Sequence, residues 1–455
     1  MSLRPGDARQ RRDELVAWLD DHTNYELAMP TRLAAPTLDR MRAMCDLLGD
    51  PQLACPVIHL TGTNGKGSTA KILTELLRAS GLTVGTYTSP NLARVNERLT
   101  RDDEPIDDEE LAEVLEALAL LEPLLPERLN RFELLTAGAF RWFADTAVDV
   151  AVVEVGLGGR WDATNVVEPE VGLVTNVSYD HVEVLGPTLL DIAAEKAGIV
   201  KPGSRLVVGE TDPELVEVFV AAADAAGVVE VWLRGEDFAC ESAHVAVGGR
   251  LLDLRTPSAR YPEVFLPLHG AHQGDNAAGA LAAAELFFGA PISPEVVEQA
   301  LSRVEVPGRI EIVGRDPLVV LDGAHNVAGA HALAQALVEE LWQGTDTVVV
   351  IGMLQGRDPS AMLEALVPAG VRTVVACPAP SPRTLPAADV ADAARALGLR
   401  ALAADTVSDA LTLAQGEVRP DGMLLVTGSL YVVAEARARF VSSTEMADPG
   451  SLAGP

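Results

Sequence analysis

Lysine is nearly missing from this chain of 455 residues: only Lys66, Lys71, Lys196 and Lys201 occur among 35 basic residues. Arginine does the rest of the cationic work, so each lysine asks for a chemical reason. Lys71, inside a helical stretch, and Lys201, before Pro202, offer none and are expected to be ordinary surface residues. Positive charge is scarce overall, with 66 acidic residues and a formal net charge of −31. That argues against a nucleic-acid partner, which needs a net basic face. It also makes binding of any anion depend on a local cluster of positive groups. The four cysteines, Cys45, Cys55, Cys240 and Cys377, lie far apart without C-x-x-C spacing. This argues against a disulfide framework or zinc site and fits a reduced, cytoplasmic protein. No run of eighteen apolar residues is present, so no membrane-spanning helix is expected. Met1 to Arg12 is polar and does not read as a secretory signal.

What is present is ample apolar sequence, 48% of residues, in a chain too long for one core. Short apolar runs at 57–61, 82–87, 149–155, 171–177 and 205–209 read as buried strands. Helical patterns near 67–80, 108–121, 132–146, 188–200 and 212–226 lie between them. This alternation predicts a mostly parallel sheet covered on both faces, with ligands beyond the strands' carboxyl ends. A hairpin is expected over Ala243–Leu254 around Gly248-Gly249, then helices from Gln273 and over Glu295–Ser302. Arg303 to Arg309, containing Pro307-Gly308, reads as a hinge. Strands at 317–321, 346–351, 371–376 and 422–427, with helices near 327–341, 358–366, 386–396 and 408–416, then predict a second, smaller α/β domain. The expected division is 1–305, 306–440 and a disordered tail over 441–455.

The stretch Ile58 to Thr69 carries the most chemistry. An apolar run ends in Gly62-Thr63-Asn64-Gly65-Lys66-Gly67-Ser68-Thr69, and a helical pattern begins at once. Backbone amides, a helix N-terminus and a lysine in that order build a phosphate cradle, and a hydroxyl beside them can hold magnesium. Gly67 separates the lysine from the hydroxyls, so the spacing departs from the usual G-x-x-x-x-G-K-[ST]. Glu154 closes the next apolar run and suits a hard cation that also takes phosphate oxygens. Asp180-His181 follows another strand, where the imidazole could ligate a metal or carry charge. Lys196 has neutral neighbours on both sides of Glu195-Lys196. A buried amine there could take up carbon dioxide as a carbamate, or it could pair with a glutamate. In the second half Asp322 to Asn326 again puts polar groups at a strand end. Arg309 beside the hinge could swing onto a γ-phosphate.

Together these motifs resemble the folylpolyglutamate synthase / dihydrofolate synthase family of the Mur ligase superfamily. The resemblance runs from about Leu38 to Arg437 and rests on TGTNGKGST (61–69), YTSPNLARVNERL (87–99), EVGLGGRWDATN (154–165), SYDHVEVLG (178–186), EKAGIVKPG (195–203), HQGDNA (272–277), PGR (307–309), LDGAHN (321–326) and TGSLY (427–431). It implies a P-loop ATPase domain followed by a Rossmann-like α/β domain, acting as a monomeric ATP-dependent amide ligase. Such an enzyme activates a carboxylate as an acyl phosphate, which the amine of L-glutamate then attacks. By matching motif, Gly62, Thr63, Asn64, Gly65, Lys66, Gly67, Ser68 and Thr69 would hold the triphosphate of ATP. Ser89, Glu154 and His181 would ligate magnesium, at two sites, and Lys196 would be carbamylated. Asn276 would contact adenine, and Arg309, Asp322 and His325 would close on ATP. Ser429 would help place glutamate, and Asn91 to Arg98 would cover dihydropteroate or folate. Four residues depart from the family pattern: Asn91 for histidine, Tyr179 for leucine, Ile310 for phenylalanine and Val327 for proline. Asn91 leaves open a ligase of the same mechanism acting on a different carboxylate. A nucleotide-binding protein without turnover is a third reading, against which Lys66, Glu154, His181 and Arg309 argue.

Overall fold

A computed structural model describes residues 5–27, 37–341, 344 and 346–441. The expected tail lies outside the described residues except for Val441. The described chain separates into two compact units. The first comprises residues up to Ala246, with Leu251–Pro267 and Gln273–Glu305; the second comprises Val247–Arg250, Leu268–His272 and the chain from Val306 onward.

The first unit is built on eight strands: β1 (Val57–Thr61), β2 (Val84–Tyr87), β3 (Leu99–Arg101), β4 (Glu104–Pro105), β5 (Val150–Glu154), β6 (Val171–Val174), β7 (Arg205–Val208) and β8 (Glu230–Leu233). They lie in the order β4-β3-β2-β5-β1-β6-β7-β8. The run from β2 to β8 is parallel, and β3 and β4 add an antiparallel edge. Every residue of β1, β2, β5 and β6 is buried, which explains their near-continuous apolar sequence: helices cover both faces. On one side Tyr87, Ala151 and Val153 pack with Leu111, Leu115, Phe140 and Phe143. On another, Val174, Leu206 and Val208 pack with Ile192, Leu215 and Phe219. Register fixes where the site falls. Leu60 pairs with both Glu154 and Leu173, and Tyr87 pairs with Val153. The carboxyl ends of four parallel strands therefore finish within two residues of one another, at Gly62, Thr88, Val155 and Thr175.

A three-stranded sheet follows in the order β11-β10-β9, from β9 (Ala239–Ala246), β10 (Gly249–Arg255) and β11 (Arg260–Leu266). The first two are the expected hairpin, and the third was not anticipated. The second unit carries β12 (Glu311–Arg315), β13 (Leu318–Leu321), β14 (Thr347–Ile351), β15 (Val371–Ala376), β16 (Arg400–Ala403) and β17 (Met423–Thr427). Their order is β12-β13-β17-β14-β15-β16, parallel except for β12. The α/β class and the parallel sheets stand as expected. Edge strands β3, β4, β8, β12 and β16 escape the sequence reading because half-exposed strands lack a continuous apolar run. Among the described residues no helix is long and apolar enough to cross a membrane. All four cysteines are free thiols.

Candidate functional site

The phosphate loop leaves β1 at Gly62 and enters the helix Lys66–Ala79 through Gly65, whose φ of +84° is left-handed. A side chain at Gly62 would overlap Thr175 Oγ1, and one at Gly65 would collide with Asn276 Oδ1. Both glycines are therefore demanded by contact. Thr69 N–H donates to Gly65 O at 2.8 Å, closing the first helical turn. The amides of Lys66, Gly67 and Ser68 precede that bond and have no intrahelical acceptor, which makes them anion donors. Asn64 to Gly67 are half-buried, whereas Ser68 and Thr69 are buried beneath them. Thr69 Oγ1 is sealed without a hydrogen-bond partner among the described residues.

Neighbouring strand β6 supplies the clamp that shapes the loop. Thr63 N–H donates to Asn176 O at 2.9 Å, and Asn64 N–H donates to Asn176 Oδ1 at 3.0 Å. Asn176 Nδ2 and Thr175 Oγ1 both donate to Asn64 O, at 2.9 and 2.7 Å. Ser178 N–H donates to Thr63 Oγ1 at 3.0 Å, while Asn64 Nδ2 donates to Ser178 Oγ at 3.2 Å. The strand expected to run to 177 ends at Val174, because Thr175 and Asn176 turn their side chains to the loop. Sequence reasoning missed these two as site residues. Polar side chains ending an otherwise apolar run were the available signal.

Two lysines converge on one carbonyl. Lys66 Nζ donates to Gly62 O at 3.1 Å and to Thr63 O at 3.3 Å, and Lys196 Nζ donates to Gly62 O at 2.8 Å. Lys196 is only 3% exposed. Burial, reinforced by the charge of Lys66, lowers it to about 7, with Asp180, Glu195 and Asp162 pulling the other way. Its hydrogen bond goes to Gly62 rather than to Glu195, whose carboxylate accepts from Trp161 N–H at 3.3 Å. The other two lysines are not simple surface residues. Lys71 pairs with Asp103, and Lys201 is half-buried with Nζ donating to Asn165 O at 3.2 Å.

Glu154 is buried, and its Oε2 accepts from Ser89 N–H at 3.2 Å. The same oxygen lies 3.8 Å from the point where a side chain on Gly67 would begin. Glu154, Ser89 and the phosphate loop are thus brought together. His181 stands three residues beyond Ser178 with a left-handed φ of 50°, its Nε2 3.5 Å from Asp180 Oδ1. Among the described residues no three His, Cys, Asp or Glu side chains gather as a metal cage. A single buried carboxylate facing an amide-lined loop instead fits magnesium, which fills its shell with phosphate oxygens and water. Asn276 is buried against Gly65 with Nδ2 donating to Gln273 Oε1 at 2.9 Å. Asp162 and Asn165 brace the loop after β5: Asp162 accepts from Leu157 N–H, and Asn165 Nδ2 donates to Arg160 O and Gly198 O.

In the second unit Leu321 pairs with Val426, so Asp322 and Thr427 finish level. Asp322 accepts from Ile310 N–H at 3.0 Å and Ala324 N–H at 2.8 Å. Burial pushes its carboxyl above the usual range, and Arg309 pulls it back. Arg309 donates to Gly308 O at 3.2 Å, and its guanidinium occupies the space a side chain on Gly323 would need. His325 Nδ1 lies 2.9 Å from Gly323 O. Ser429 is buried and caps the helix Leu430–Phe440, and Gly428 N–H donates to Ala324 O at 3.0 Å. Arg309, Asp322, His325 and Ser429 therefore share the carboxyl edge of β13 and β17.

The Mur ligase middle domain matches residues 124–284, and the glutamate ligase domain of Mur ligases matches residues 308–430. Dihydrofolate synthase/folylpolyglutamate synthase of Mycobacterium tuberculosis is 36% identical over 94% of this chain and 95% of its own length. Folylpolyglutamate synthase of Lacticaseibacillus casei is 37% identical, covering 88% and 93%. The crystal structure of Mycobacterium tuberculosis folylpolyglutamate synthase complexed with ADP and AMPPCP superposes with a TM-score of 0.88 at 37% identity, over 96% of this chain and 99% of that one. A two-unit α/β architecture with a lysine-bearing phosphate loop and a glutamate ligase domain defines the Mur ligase class, and the chain belongs to its folylpolyglutamate synthase / dihydrofolate synthase family.

Proposed function

We propose that this chain is an ATP-dependent acid–amino-acid ligase that joins L-glutamate to dihydropteroate, to the glutamate tail of folates, or to both, through an acyl phosphate. The supporting observation is the convergence of Lys66 and Lys196 on Gly62 O at the mouth of a free helix N-terminus. In this reading Gly62 to Thr69 cradle the triphosphate with loop amides, and Lys66 leaves its two carbonyls for the β/γ oxygens. Asn276 meets the adenine beside Gly65. Ser89, Glu154 and His181 would hold magnesium, at two sites, and the ion would supply neutralisation of phosphate charge. Lys196, with a neutral amine accessible near pH 7, is the residue that would take up carbon dioxide as a carbamate. Arg309, Asp322 and His325 act on ATP from the domain 306–440, and Ser429 helps orient the incoming glutamate. Asn91 and Arg98 belong to the acceptor side. The acceptor carboxylate attacks the γ-phosphorus and ADP leaves. The glutamate amine then attacks the acyl carbon, and phosphate departs from the tetrahedral intermediate. The protein works as a cytoplasmic monomer on small molecules, without nucleic acid or membrane.

The test is a coupled ADP assay with dihydropteroate and tetrahydrofolate side by side, each with and without L-glutamate. Glutamate-dependent ADP release with at least one acceptor is expected. Folded, ATP-binding protein that turns over neither would remove the proposal. Asn91 favours one second reading, the same chemistry on another carboxylate, which phosphate release across a panel of carboxylic acids would detect.

A further inference from the structure

The loop from Thr88 to Arg98 is held at both ends and through its middle. At its start Ser89 N–H bonds Glu154. In the middle the Glu97 carboxylate accepts from the amides of Leu92, Ala93 and Arg94 at 2.7–3.1 Å. At its end Arg98 is 2% exposed, and its two terminal nitrogens donate to the two carboxylate oxygens of Glu26 at 2.8 and 2.7 Å. Arg98 Nε donates to Asn91 Oδ1 at 2.7 Å. Burial pushes Glu26 up, but Arg98 more than offsets it, with Arg131 adding, so the carboxylate stays ionised. A forked, charge-assisted pair of this kind fixes the guanidinium plane, and with it the third donor on Nε. Asn91 is half-buried and its oxygen is used by Arg98, so what its carboxamide can still offer a ligand is the nitrogen, a donor only.

We propose that Glu26, 65 residues before Asn91 in sequence, is a positioning residue: through Arg98 it locks the Asn91 carboxamide as a hydrogen-bond donor to a carbonyl, ring nitrogen or carboxylate of the pterin-bearing acceptor. This rests on the ligase reading above. Glu26 reaches the acceptor only through two side chains, so its loss weakens acceptor binding and leaves ATP and glutamate binding intact. A double-mutant cycle tests it, with Glu26→Gln, Asn91→Ala and the double variant assayed for KM of dihydropteroate, KM of ATP and kcat. Each single variant is expected to raise the acceptor KM about tenfold, the scale of one lost hydrogen bond to a ligand, with the ATP KM unchanged. The double variant is expected to be no worse than Asn91→Ala alone, because both changes remove the same contact. Additive losses, or equal changes in kcat and in both KM values, would overturn the inference and make Glu26 a purely structural anchor. Should Glu26→Gln not fold, Arg98→Lys takes its place in the cycle, keeping the charge but losing the fork. Wild-type protein inactive with every acceptor would instead count against the ligase reading.

Discussion

Two strand-end loops in this molecule spend their own amides differently. In the first unit the phosphate loop at Gly62–Lys66 is shaped by residues more than a hundred positions away: Thr175, Asn176 and Ser178 on the neighbouring strand, and Asn276 beyond. In the second unit the loop at Asp322–Asn326 is tied from afar as well, by Ile310 N–H to Asp322, Gly323 N–H to Gly308 O and Gly428 N–H to Ala324 O, but it adds short-range side-chain turns of its own. Asp322 accepts from Ala324 two residues on, His325 Nδ1 lies against Gly323 O, and Asn326 Oδ1 accepts from Gly329 N–H at 2.8 Å. A loop that must offer bare amides to a triphosphate cannot spend them on itself, so its rigidity has to come from outside. A loop that presents side chains can spend its own amides on short Asx-type turns.

Breaking the cation at the centre of the first loop should have the largest effect. Lys66→Ala is expected to lower kcat/KM by on the order of 100-fold or more, measured by ADP release, with the melting temperature nearly unchanged. Removing the conformational freedom comes next. Gly65→Ala forces a side chain into Asn276 at a left-handed φ and should abolish nucleotide binding by calorimetry while costing about 1–3 kcal/mol of stability. The comparison is sharpened by pairing Asn176→Ala with Asn326→Ala. The first removes bonds in both directions across strands and should weaken ATP binding about tenfold. The second removes a helix N-cap and should cost about 1 kcal/mol in denaturant melts with little change in ATP affinity. Equal effects on ATP from the two would erase the distinction.

Stability also depends on pH, through the second lysine at the first loop. Lys196 is lowered from 10.5 to about 7 by burial, so the unfolded chain binds the extra proton between those values and stability rises with pH across that window. The burial cost is complete below pH 7 and gone above 10.5. Lys196→Met should therefore gain most over wild type at acidic pH and lose that advantage as pH rises, in chemical denaturation at a series of pH values.

Much of this was legible in the sequence. Strands β1, β2, β5, β6 and β7 announce themselves because full burial leaves apolar runs. The phosphate loop, Glu154 and Asp322 stand out as polar residues where apolar runs end, and Lys196 as one of only four lysines. Short-range turns, such as Asp322 to Ala324 and Asn326 to Gly329, are also visible because their partners are close in sequence. What stayed hidden depends on distant pairing. Asn176 looked like part of a strand, and nothing in the sequence singled out Glu26 before its fork with Arg98 was seen. Lys201 seemed free until its bond to Asn165 O placed it under the loop after β5.

The account stands on activation of a carboxylate by the γ-phosphate, and an oxygen-transfer experiment reads that step directly. Acceptor labelled with heavy oxygen in its carboxylate is turned over with ATP and L-glutamate, and the released phosphate is examined by mass spectrometry. One labelled oxygen in each phosphate is the predicted result, since the acyl phosphate carries that oxygen away. Phosphate free of label, formed alongside the amide product, would contradict it.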